Sequence, residues 1–116
     1  MTIKLSLLTA TVLIATAHSA FAYGATDRVD TRQSMQSDRI EAGRRNGEIT
    51  WTEGIKLRAE QRRIEAAERA FKADDGRIDK HEYRQLKAMQ DEASRHIAVE
   101  AHDRRHRPSW LPRVGR

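Results

Sequence analysis

The chain contains no cysteine, so no disulfide braces it and no thiolate is available as nucleophile or metal ligand. Its two prolines, Pro108 and Pro112, both lie near the C-terminus, leaving every earlier position free of the strongest helix breaker. Aromatic residues make up 5% of the sequence, so a core must be built from small aliphatic side chains. A nucleophile elbow, a P-loop and a dinucleotide fingerprint are all missing, which removes the commonest sequence grounds for hydrolase, nucleotide-hydrolysing or dehydrogenase chemistry. Only one long apolar run exists, from Leu5 to Ala17, and it falls short of the roughly 20 residues of a spanning helix.

That run has Lys4 before it and Ala20-Phe21-Ala22 after it. A basic start, a short apolar centre and a small-x-small end are the pattern of a secretory signal peptide. Residues 1–22 are therefore read as an export leader cleaved after Ala22, with no transmembrane span left after cleavage and a periplasmic or secreted destination. Residues 23–103 form the expected domain and residues 104–116 a tail.

The 22 basic residues outnumber the 17 acidic ones, but the excess is local. Arg104, Arg105, Arg107, Arg113 and Arg116 fall in the tail, which has no acid, and residues 23–103 are near neutral. The basic isoelectric point thus describes the tail and gives no ground for a nucleic-acid partner. Trp110, set between the two prolines, adds an interfacial anchor. The tail is read mainly as a flexible, solubilising cationic end; the alternative is a weak anchor for an anionic envelope surface, each basic residue contributing about 1 kcal/mol there.

Three helices are expected, near residues 28–45, 51–73 and 80–105, with residues 23–27 as a loose lead. Asn46-Gly47 and Asp74-Asp75-Gly76 stop the first two. Thr50-Trp51-Thr52-Glu53 and Asp79-Lys80-His81-Glu82 are capping boxes that open the second and third, and Ile78 can staple to Tyr83 across the latter. Leu57, Ile64 and Phe71 form one apolar stripe, extended by Trp51 and Ile55, and Tyr83, Leu86 and Ile97 form another, interrupted by Gln90. The fold class is all-α: a small antiparallel helical hairpin or three-helix bundle with a flexible basic tail. The segments "NGEITWTEGIKL" and "DGRIDKHEYRQL" share Gly, Ile, Glu and Leu at equal offsets, 29 residues apart, which reads as one corner used twice.

The second corner looks like part of a calcium loop. With Gly76 at loop position 6, Asp75, Asp79 and Glu82 fall on ligand positions 5, 9 and 12, but Phe71 and Ala73 occupy positions 1 and 3, where oxygen ligands are needed. The first corner puts Arg44 at position 3. A plain helix–turn–helix corner is the main reading. A weak site for calcium or another cation on Asp74, Asp75, Asp79 and Glu82 is the alternative.

The pattern "GEIT…E…L", "KADDGRID…E…L" and "ASRHI…HD" resembles a group of small secreted bacterial helical proteins of unassigned function, with two Gly-x-Ile/Leu corners and a degenerate EF-hand-like character. The resemblance covers roughly residues 36–103 and implies a periplasmic helical protein; it brings no catalytic residue. Among His96, His102 and His106, the last two stand four apart and could grip a transition metal, but the flanking arginines and the lack of a third well-spaced ligand make a solvated cationic helix end the main reading. Glu60, Glu65 and Glu68 alternate with Arg58, Arg62, Arg63 and Arg69 as a solvated charged face. The expected function is therefore a non-enzymatic structural or protein-interaction role, with no cofactor and an unknown protein partner.

Overall fold

The computed structural model describes residues 12–103, and their side chains from Phe21 to His102; the tail residues Arg104, Arg105, Arg107, Trp110, Arg113 and Arg116 and His106 lie outside this range. Three helices, α1 (Val12–Arg45), α2 (Trp51–Phe71) and α3 (Lys80–Asp103), pack pairwise against one another. No strand occurs among the described residues. The protein is all-α and its three helices form a bundle.

The two corners are copies of one device. Gly47 and Gly76 take φ values of 73° and 72°, left-handed backbone that a side chain disfavours. Ile49 and Ile78 follow, 3% and 0% exposed. Both caps then close reciprocally. Thr50 N–H donates to Glu53 at 2.7 Å and Glu53 N–H to the Thr50 hydroxyl at 3.1 Å. In the second corner Asp79 N–H donates to Glu82 at 2.9 Å and Glu82 N–H to Asp79 at 2.8 Å. Leu57 and Leu86 drop into the core seven residues beyond each cap position. The copies differ where Gly54 stands opposite Tyr83. Tyr83 packs with Ile78 in one apolar cluster as a staple does. At Gly54, a Cβ would come within 2.7 Å of Arg44 Cδ, so the missing side chain makes room for Arg44 instead. Ile49 folds back onto Gly43, where a Cβ would lie only 2.5 Å from its terminal methyl.

The core has two apolar clusters. Ala25, Val29, Ile64, Ile78, Leu86 and Ala93 form one; Ile40, Ile49, Leu57 and Ile97 form the other. Three buried glutamines, one from each helix, complete the interior: Gln36, Gln61 and Gln90. Gln36 Nε2 donates to the Gln90 carbonyl at 2.6 Å and to Ser94 Oγ at 2.7 Å. Gln61 Nε2 donates to Gln36 Oε1 at 3.2 Å, and Gln90 Nε2 donates to the Val29 carbonyl at 2.9 Å. Each helix pair also carries a polar surface contact: the ion pairs Arg32–Asp91 at 2.6 Å and Arg58–Glu41, and a His96–Glu60 hydrogen bond at 2.9 Å.

Several sequence expectations change. Residues 23–27 are helical, because α1 (Val12–Arg45) runs through them. The first helix packs on both others, since Ala25, Val29 and Ile40 reach the core. Leu57, Ile64, Leu86 and Ile97 are buried as expected, whereas Phe71 and Tyr83 are only partly buried at the edge of the first cluster. Trp51 and Ile55 do not extend the buried stripe; they are 57% and 49% exposed, because their positions on the helix turn them away from the line through Leu57, Gln61 and Ile64. Gln90 does not interrupt the stripe of α3 but belongs to it. Glu68 leaves the solvated face and is buried.

Gln36→Ala should destabilise the bundle by about 2 kcal/mol, since it removes bonds to the buried Gln90 carbonyl and Gln61 amide and to the part-buried Ser94 hydroxyl. Replacing Gln36, Gln61 and Gln90 together by Leu should leave stability within about 1 kcal/mol of the parent or raise it, while amide NMR lines broaden as alternative registers become populated. Urea denaturation and a nitrogen-correlated spectrum of each variant check both outcomes.

Candidate functional site

The acidic corner between α2 and α3 holds the four carboxylates of the sequence-stated cation site within one turn region, and each has a local use. Asp74 Oδ1 accepts from Asp75 N–H at 2.8 Å, and Asp75 Oδ1 accepts from Arg77 N–H at 2.9 Å. Asp79 and Glu82 are tied to each other's backbone in the capping box. Arg77 and Lys80 line the same open cavity as Asp75 and Asp79 and bring positive charge to it. Among the described residues, no three His, Asp or Glu side chains converge in a metal-holding group. Phe71, at the first ligand position of the calcium-loop alignment, packs against the apolar core.

A second acidic group was hidden in the charged run. Glu68 sits in the α1–α2 interface, where Gln33 Nε2 donates to its Oε2 at 3.0 Å and the Lys72 ammonium binds its Oε1. Asp30, one turn before Gln33, faces Glu68, so that two carboxyls stand side by side. Partial burial, then the neighbouring Glu68 carboxyl and its charge, hold the Asp30 carboxyl above its ordinary value; Lys72 opposes the shift and Asp27 adds to it. The signal available in the sequence was position: Glu68 follows Leu57, Gln61 and Ile64 at helical spacing. Asp91 behaves in the opposite sense. The bonds from Lys87 and Arg32 hold its carboxyl below the ordinary value.

The opposite end of α2 carries the largest exposed aromatic side chain among the described residues. Trp51 and Ile55 stand one turn apart on the first two turns, both open to solvent. The Arg44 guanidinium lies 4.7 Å above the Trp51 ring, a cation–π contact that holds the indole in place. The base beneath is firm, because the Thr50–Glu53 capping box fixes the helix start. Trp51 and Ile55, expected on the core side of α2 from their apolar character, instead form this surface patch. His96, on the α2–α3 face, contacts Glu60 through Nδ1 and lies 3.8 Å from Glu92 through Nε2. No helix among the described residues is long and apolar enough to cross a membrane.

No family model, curated protein or solved structure matches the chain.

Asp30→Asn should make the protein more stable than the parent at pH 7. A raised carboxyl pKa means that the folded state binds the proton more tightly than the unfolded chain, so the parent gains stability as pH falls through the folded-state value. That gain is complete below the unfolded value near 3.8, and the gap to the asparagine variant should close there. Asp91→Asn should differ in sign, losing at neutral pH a stabilisation that the parent itself loses on acidification. Melting temperatures of the three proteins between pH 3 and 8 test both.

Proposed function

We propose that the chain is a non-catalytic helical protein of the periplasm or extracellular space, exported by residues 1–22, that works by binding another protein. The observation that carries this reading is the Trp51–Ile55–Arg44 patch. The bundle interior is filled by its own aliphatic and glutamine side chains, so recognition falls to the surface. Trp and Arg are the residue types most enriched at the energetic centres of protein interfaces. Here the two are stacked on a capped helix start, so little side-chain freedom is lost on binding. The matching partner surface has an apolar slot for the indole and a carboxylate for Arg44.

The second reading, cation binding, is favoured by the gathering of Asp74, Asp75, Asp79 and Glu82 at one corner. Trp51 is a poor reporter for it, since α2 separates the two ends by about 31 Å. Tyr83 packs against Ile78 beside the corner and is the better antenna.

Trp51→Ala combined with Ile55→Asp should change stability by less than about 0.5 kcal/mol, because both side chains are on the surface. A photo-crosslinking residue placed at Ile55 in exporting cells should give an adduct of defined mass, which disappears with Trp51→Ala and does not form from the exposed position Arg84. An equal yield from both positions would remove the patch as the binding surface. Terbium luminescence excited through Tyr83 should not saturate. A saturable signal abolished by Asp74→Asn with Asp75→Asn would replace interaction by cation binding as the function.

A further inference from the structure

The leader junction is built into the folded bundle. Helix α1 passes without a break from Val12 to Arg45, so the Ala22–Tyr23 bond is held in helical form. The Ala22 carbonyl, on the acid side of that bond, accepts a hydrogen bond from the Thr26 hydroxyl at 3.1 Å. Ala22 itself is 7% exposed. One residue earlier, the Phe21 ring meets Tyr83 of α3 edge to face, with centroids 6.1 Å apart and planes at 87°. The Lys80 ammonium sits 5.6 Å from the centre of the same ring. Phe21 thereby covers the end of the apolar cluster that contains Ile78 and Leu86.

A peptidase needs a chain segment that it can reach and draw out of regular structure, and cleavage of a closed segment tracks how often that segment opens. Here, opening means unwinding α1 at Ala22 and pulling Phe21 from between Tyr83 and Lys80. We propose that the Phe21–Tyr83–Lys80 contact is a plug that shields the leader junction once the bundle closes, so that cleavage after Ala22 has to precede folding. The inference rests on reading residues 1–22 as an export leader. Its consequence is directional. A precursor that closes early keeps its leader, whereas a chain delivered unfolded to the peptidase loses it. The processed chain then folds without Phe21, with the Tyr83 ring edge uncovered.

The test compares purified leader peptidase acting on the folded full-length precursor and on a synthetic peptide of residues 10–30. The peptide should be cut after Ala22 and the folded precursor more slowly, by a factor on the order of a hundred. Tyr83→Ala leaves the recognised sequence unchanged and should restore cleavage of the precursor by about tenfold or more. Leu57→Ala, in the other apolar cluster, serves as the control for general loosening, with stability of both variants measured by urea denaturation. Acceleration that follows global stability alike in the two variants would overturn the plug, as would a folded precursor cut as fast as the peptide. A peptide that is not cut would instead overturn the leader reading, and the inference with it.

Discussion

The hydrogen-bonded contact among Gln36, Gln61 and Gln90 is the constraint to which the rest of the bundle conforms. Aliphatic surfaces are tolerant partners: Ile, Leu and Ala on one helix can pack against the same residues on another after a shift of one turn. An amide is not tolerant, because it must find a donor or acceptor at hydrogen-bond distance or suffer desolvation without return. Gln36 reaches both the Gln90 carbonyl and Ser94, while Gln90 reaches back to the Val29 carbonyl. Those reciprocal bonds between α1 and α3 close in one register. Gln61 joins α2 to the same group through a single bond, and its Oε1 is buried without a hydrogen-bond partner. The second helix is therefore the less tightly specified of the three at this level. Its position is reinforced further along by Gln33 on Glu68 and by the Arg58–Glu41 pair.

The corners were legible before the structure because their information is local. Gly47 and Gly76 meet a backbone requirement that few other residues satisfy, and the Thr50–Glu53 and Asp79–Glu82 boxes need only four consecutive residues to form. The starts of α2 and α3 followed to the residue, whereas that of α1 did not. The repeat carried through as well, down to Ile49 with Ile78 and Leu57 with Leu86 as equivalent core positions. What the local reading missed is tertiary. Gln61 and Glu68 stand on the same helical line as Leu57 and Ile64, and Gln90 stands on the line of Leu86, Ala93 and Ile97. A polar residue on an apolar line has two opposite meanings, a gap in the stripe or a buried hydrogen-bonding group, and the distinction depends on partners from other helices. Trp51 shows the converse. A large aromatic near a helix start counts toward a core by composition, but its angular position, together with Arg44 stacked on it, places it outside.

The same reasoning explains the acidic corner. Four carboxylates within nine residues suggest a ligand set when counted by type. All four, Asp74, Asp75, Asp79 and Glu82, instead answer backbone N–H groups of the turn and the start of α3. Local bonding of this kind is the general chemistry of a helix start, and it accounts for why Asp and Glu fall here without any ligand being invoked. Arg77 and Lys80 beside them balance the charge.

Helix α1 has to serve two ends of the molecule with few apolar residues. Toward its C-terminus Ile40 and the bare face of Gly43 receive Ile49 and Leu57. Toward its start, Ala25 and Val29 are small, and the cluster they join leaves space that the Phe21 ring fills against Tyr83. Aliphatic side chains alone would not span that gap from α1, because alanine at positions 22 and 25 reaches too short a distance. The helix that ties the bundle together is thus completed by a residue on the leader side of the expected cleavage point. If residues 1–22 act as the proposed export leader, cleavage and packing place demands on the same turn of helix: Ala20 and Ala22 before the cut bond for recognition, and the Phe21 ring between them to close the core.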